Sequence, residues 1–228
     1  MDKISKVRSI TLWIFLIPLL TINTCLIIVI YFQEWLALGD GIGPTIPYID
    51  GGTSISRTAR VFPTYFIFKP AMFFTSYLLI KYWLFNKEII AYFDKNHKHI
   101  KKIVFFGIAS AIFLTLHSIF LGIKFDNDFY KLFRRIVMLC FIIFEIVAQT
   151  YLVISIYSLK EKLTNLINKK ILLAKMILVT ILIIVAICSI PIITQEGNKV
   201  FKHALEWDFF VGVITFYLLT FFMWKKNN

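Results

Sequence analysis

Acidic side chains are scarce in this sequence, 13 against 25 basic ones, which leaves a formal charge of +12. Charge of either sign is thin, at 17% of the 228 residues. A soluble domain must cover its surface with polar side chains. With 59% hydrophobic residues and a mean hydropathy of +0.78, this chain cannot do so. Cysteine is nearly absent. Cys25, Cys140 and Cys188 stand alone inside apolar runs, where cysteine usually serves as a small packing residue. A metal site therefore has little support and no cofactor is expected; a disulfide is left open. Also missing is the apolar/polar alternation of a barrel strand, which excludes a transmembrane β-barrel. No basic-aromatic module for RNA or DNA is present, no repeat beyond general hydropathy, and no low-complexity tail.

What the chain does have is phenylalanine, 24 of them, and recurring apolar runs near 20 residues long. A helix rises about 1.5 Å per residue, so each run clears a hydrocarbon core of about 30 Å. The pattern predicts an all-α, polytopic membrane bundle with a single domain of six transmembrane helices. Their approximate bounds are 9–33, 61–84, 103–123, 134–159, 171–193 and 204–224. The second is interrupted by Lys69, Pro70 and Lys81. The first follows Lys3, Lys6 and Arg8 like a signal peptide, but it is too long and lacks a small-residue cleavage site before Gln33. Pro18 and Asn23 lie within it, and the proline is expected to bend it.

Basic residues set the orientation. Lys3, Lys6, Arg8, Lys87, Lys95, Lys98, Lys101, Lys102, Lys160, Lys162, Lys169, Lys170, Lys175, Lys225 and Lys226 fall on one side, fifteen in all. Eight fall on the other: Arg57, Arg60, Lys124, Lys131, Arg134, Arg135, Lys199 and Lys202. The positive-inside rule then puts both termini in the cytoplasm. So distributed, the charge points to membrane lipids and anionic headgroups as partners, with no nucleic acid. A protein partner in a larger complex stays open. The inner segment 86–102 mixes Ile89, Ile90, Tyr92 and Phe93 with lysines. It reads either as a short amphipathic piece at the interface or as a solvated basic loop. The long outer connection, 34–60, is broken by five glycines and two prolines and must turn repeatedly.

That outer loop ends in an unusual crossing, Thr53-Ser-Ile-Ser-Arg-Thr-Ala-Arg-Val-Phe-Pro63. Ser54, Ser56 and Thr58 suit a helix start, where orphan amides need acceptors, and Pro63 suits a first helical turn. Arg57 and Arg60 sit at headgroup level beside helix-end amides, a candidate phosphate or anion site. The plain alternative is arginine snorkelling to lipid phosphate with no specific ligand. Glu206 and Asp208 stand at the outer start of the sixth span, and both motifs are expected to converge there.

Five polar residues lie inside the spans. Counted from the outer ends, Lys69 is about 8 residues down, His117 about 6, Asn23 about 10 and Glu145 about 11, or roughly 9–17 Å. Gln149 lies one turn below Glu145. Intramembrane ionisable groups are costly and usually pair, so Lys69 is expected against Glu145 with His117 near. This cluster reads either as a polar cavity open to the outer leaflet or as a buried pair that fixes helix packing. An enzyme would need a nucleophile. Ser54 or Ser56 with His203 and Asp50, Glu206 or Asp208 offers the residue types. However, no Gly-x-Ser-x-Gly elbow and no His/acid spacing of membrane acyltransferases is present.

Ser54-Ile-Ser56 before Pro63 and an aromatic-rich second helix resembles a known membrane family. It includes the damage-regulated autophagy modulators, the yeast SFK-type protein and the Golgi protein required for fatty-acid remodelling of GPI anchors. Ala204-Leu-Glu-Trp-Asp-Phe-Phe210 is similar to the start of that family's last helix. Thr53 stands where the family often has proline. The resemblance implies six spans, cytoplasmic termini and a role in lipid handling. It supplies no agreed catalytic residue. A lipid-recognising protein without chemistry of its own is the reading carried forward. A lipid acyl-remodelling enzyme, a small transporter and a structural subunit are the alternatives.

Overall fold

The computed structural model describes residues 2–32, 42–123, 128–195 and 197–225. Residues 34–41 of the expected outer loop, together with Lys124 and Lys226, lie outside them. All eight elements among the described residues are helical. Six are long: α1 (Asp2–Tyr31), α4 (Thr64–Phe93), α5 (Ile100–Phe120), α6 (Asp128–Ser158), α7 (Lys169–Thr194) and α8 (Lys199–Met223). Two are short: α2 (Pro47–Asp50) and α3 (Ile55–Ala59). Five of the long helices, all except α4, are long and apolar enough to cross a membrane. Without water, backbone amides must be satisfied within the segment, and an unbroken apolar run is stable there only as a helix. The chain thus has the character of a multi-pass integral membrane protein.

The long helices form a closed ring in the order α1, α4, α5, α6, α7, α8, with α8 returning to α1. Both described ends of the chain lie at one end of the bundle, here the terminal end. Lys3 on α1 pairs with Glu88 on α4 at 2.7 Å there. The amide of Asn168 donates to the Met223 carbonyl at 2.8 Å, and that of Lys225 to Leu166 at 2.9 Å. Trp224 is fully buried behind this closure.

At the opposite, loop end, α2 and α3 fold over the bundle mouth. Gly51 turns left-handed there (φ +58°), with the Val200 carbonyl pressed where a Cβ would stand. Only glycine meets both demands. Asp50 closes the loop by accepting from the amides of Ile46 and Gly52, each at 2.9 Å, and from the Thr45 hydroxyl. These bonds hold its carboxyl below the usual aspartate range, the Thr45 bond contributing most.

Three expectations change. The second helix does not stop near residue 84 but runs to Phe93. Ile89 and Ile90, read above as interfacial, are buried in the core and draw those turns inward. Lys175, counted above among the basic residues of the cytoplasmic side, lies inside α7 and is fully buried. Pro63 stands just before the first residue of α4 rather than within its first turn. The cysteines are all free, with Cys25 buried and Cys188 exposed.

Candidate functional site

A cavity of about 100 Å³ lies inside the ring, near the loop end. Every long helix except α7 contributes to its wall. The wall is mostly apolar: Ile14 and Ile22 on α1, Phe68 and Met72 on α4, Leu114 on α5, Phe141 on α6, and Phe209 and Val213 on α8. Polar groups enter at a few points. Glu206 stands near α3, Glu145 and Tyr217 lie at mid-bundle, and His117 and Thr75 line the side. A small number of polar groups in an apolar enclosure is the usual make-up of a ligand pocket.

The two sequence motifs converge as expected. Glu206 is directed inward, its carboxylate against the backbone amides of Ile55 and Ser56. Ser54 caps α3 by accepting from the Arg57 amide at 3.1 Å, and its hydroxyl lies 3.3 Å from that of Ser56. The Trp207 indole donates to the Thr53 carbonyl at 2.9 Å, and the His203 ring lies 3.1 Å from the Gly51 carbonyl. The details differ from expectation. Two residues along a helix is about 200° of turn. Asp208 therefore faces outward and is exposed, taking no part. Arg57 is half-buried and Arg60 exposed, and neither lines the cavity. Glu206 meets amides instead of an arginine. Ser54 and His203 each bond to a different backbone group, so these two do not form a dyad.

The intramembrane expectations divide in the same way. Glu145 is fully buried and accepts from Ser110 at 2.6 Å, from Gln149 at 3.1 Å and from the Tyr217 hydroxyl. Lys69 does not pair with it; its ammonium reaches the Ile119 carbonyl at 3.3 Å instead. The α5 helix ends at Phe120, so its last carbonyls lack helical donors, and a cation is favoured there. His117 lines the cavity, and its Nδ1 is buried without a hydrogen-bond partner among the described residues. Asn23 also leaves the expected cluster. It bonds to Leu19 on its own helix and accepts from the Tyr48 hydroxyl at 3.0 Å, tying α1 to α2. Burial raises the Tyr48 hydroxyl's affinity for its proton, which keeps it a donor.

Sequence reasoning missed Tyr217, Tyr82 and Lys175. Tyrosine in an apolar run gives no spacing signal, and Lys175 was counted only toward the charge of the cytoplasmic side. No family model, curated protein or solved structure matches the chain.

Proposed function

We propose that this chain is a six-span membrane protein with cytoplasmic termini that takes up an amphiphilic lipid through its loop-end mouth. It holds the lipid without chemistry of its own. One observation carries this reading: an apolar cavity inside the ring, lined toward the loop end by Ile55 of α3 and Glu206. A hydrocarbon chain gains roughly 25 cal/mol for each Å² removed from water. From lipid the gain is smaller, so an apolar slot by itself selects little. Selection falls to the polar groups, the His117 Nδ1 inside and the Arg57 and Arg60 side chains on α3 outside. A phosphate-bearing headgroup would meet those arginines at the mouth. The α4 helix, with 30 residues, serves as the sixth span in this reading; Lys69 lies toward its loop end and Lys81 near its middle. The sequence resemblance to the autophagy-modulator and GPI-anchor-remodelling family supports the same direction, since that family implies lipid handling.

The test is lipid retention. Protein purified in mild detergent and analysed by native mass spectrometry is expected to carry a bound lipid. Met72→Trp, which fills the cavity from α4, is expected to reduce occupancy several-fold with the melting temperature kept. Arg57→Gln is expected to weaken retention of anionic lipid alone. Full occupancy in the Met72→Trp protein sinks the proposal.

A further inference from the structure

Below the cavity floor, polar side chains continue toward the terminal end. The Tyr217 hydroxyl donates to the buried Glu145 carboxylate. The Tyr82 ring on α4 packs edge-on against the Tyr217 ring, with centroids 5.0 Å apart. The Tyr82 hydroxyl faces Thr220 and Asn86, yet has no hydrogen-bond partner among the described residues. One turn beyond Tyr217, the Thr220 hydroxyl accepts from the Lys175 ammonium at 2.7 Å. Lys175 is fully buried, and its Nζ lies 3.9 Å from the centroid of the Phe216 ring. Among the described residues, no carboxylate contacts it and Glu145 has no cation partner. A packing-only role would favour uniting the two as an ion pair, or replacing both by apolar groups. Instead, an acid and a base are held apart by hydroxyls.

We propose that Glu145, Tyr217, Tyr82, Thr220 and Lys175 form a proton pathway, with the cavity as its loop-end half and this chain as its terminal half. A proton arriving from the cavity binds the Glu145 carboxylate. Tyr217 then turns its O–H away from Glu145 toward Tyr82. Each hydroxyl gives one proton and takes one, and the last goes to Lys175 once its ammonium has released a proton toward the terminal surface. For each proton relayed, the O–H bond formed at Glu145 breaks again as its proton passes to Tyr217, one N–H bond forms at Lys175, and no hydroxyl changes its net protonation. Lys175 is the sixth residue after Lys169 at the start of α7, about 9 Å in. Its flexible stem can carry the proton to the terminal surface by snorkelling. The charged and titratable groups facing this route are Glu206, His117 and, beside His117, Arg134 at the cavity. At the terminal end, Arg8 reaches the Phe221 carbonyl at 3.3 Å. The pathway runs when water fills the cavity, and it does not rest on the lipid-binding reading.

Proteoliposomes with a trapped pH-sensitive dye test it, with a potassium gradient and valinomycin setting the potential. Wild-type protein is expected to pass protons faster than protein-free vesicles. Glu145→Gln and Lys175→Met are each expected to cut the flux at least tenfold. Tyr217→Phe and Thr220→Val probe the same chain with minimal change of shape, should the charged-site variants fail to fold. An infrared pH-difference spectrum adds a second readout: a protonated-carboxyl band present in wild type and missing in Glu145→Gln. Flux no greater than in empty vesicles overturns the proposal. So does flux that survives intact in every folded variant. Lipid retention is measured separately, so either proposal can fail alone.

Discussion

At the scale of single residues, burial and partners separate the lysines. Lys69 lies near a helix end with a free carbonyl, Lys81 is exposed with its ammonium 5.5 Å from the Tyr77 ring centroid, and Lys175 is sealed in. Lys175 and Thr220 should respond to mutation with opposite signs. Lys175→Met removes a buried charge and keeps an unbranched apolar stem of similar shape, so the melting temperature is expected to hold or rise. Thr220→Val leaves the ammonium with no acceptor and is expected to cost about 1–3 kcal/mol. Thermal unfolding in detergent reads both; equal losses would mean that Lys175 contributes through packing alone. Asp50 makes a second residue-scale case. Its folded pKa lies below its ordinary value of 3.8, so its contribution is complete above that value and is lost as pH falls through the folded pKa. Asp50→Asn is therefore expected to speed hydrogen exchange of the Ile46 and Gly52 amides several-fold at neutral pH. The difference from wild type is expected to vanish once acid has neutralised Asp50 itself.

At the scale of elements, legibility followed the strength of the apolar pattern. Five of the six long helices could be read from unbroken runs, where length and hydropathy decide; α4 was read from a run interrupted by Lys69, Pro70 and Lys81. Their ends could not. The α4 helix overran its expected end by nine residues, since Ile89 and Ile90 find core partners that no local pattern reveals. The convergence of Ser54 and Ser56 with Glu206 was legible from motif placement at the loop end. The choice of Glu206 over Asp208 was a matter of helix phase, which a short motif leaves open. The Lys69–Glu145 pairing failed because depth matching ignores azimuth around the ring. A tighter element-scale contact joins α4 to α5. The Trp83 indole, fully buried, lies against Gly107 where a Cβ would stand, at atoms Cδ2 and Cγ of the ring. Trp83 is too large to give way cheaply in a close-packed interior. Gly107→Ala is expected to destabilise the bundle by about 1–3 kcal/mol. Adding Trp83→Phe to that variant is expected to recover part of the loss, because the two sites share one space. Additive losses in the double variant would show that the helices separate at that point.

At the scale of the whole molecule, the ring closure constrains topology more than hydropathy does. The α4 helix lies between α1 and α5, and its ends match theirs: Lys3 on α1 meets Glu88 on α4 at the terminal end, and Lys69 meets the end of α5 at the loop end. A helix held antiparallel between two membrane-crossing neighbours cannot lie flat on the surface without opening the ring. Its polar positions agree with this. Asn86, Ser76 and Thr75 are buried toward the interior, while Phe66, Phe74 and Tyr77 face outward, where lipid would be. If α4 crosses as proposed, six crossings would put the 94–99 and 159–168 turns on one side with both termini, and the α2–α3 loop on the other. The excess of basic residues on the terminal side would then make that side cytoplasmic. Single cysteines at Lys98, Lys162 and Gly52, each on a cysteine-free background, discriminate the arrangements when an impermeant thiol reagent is applied to intact cells. Only the residue 52 position is expected to react. Reaction at 98 but not at 52 would invert the orientation. Reaction at 52 and 98 together would mean that α4 does not cross, leaving five spans and the termini on opposite sides.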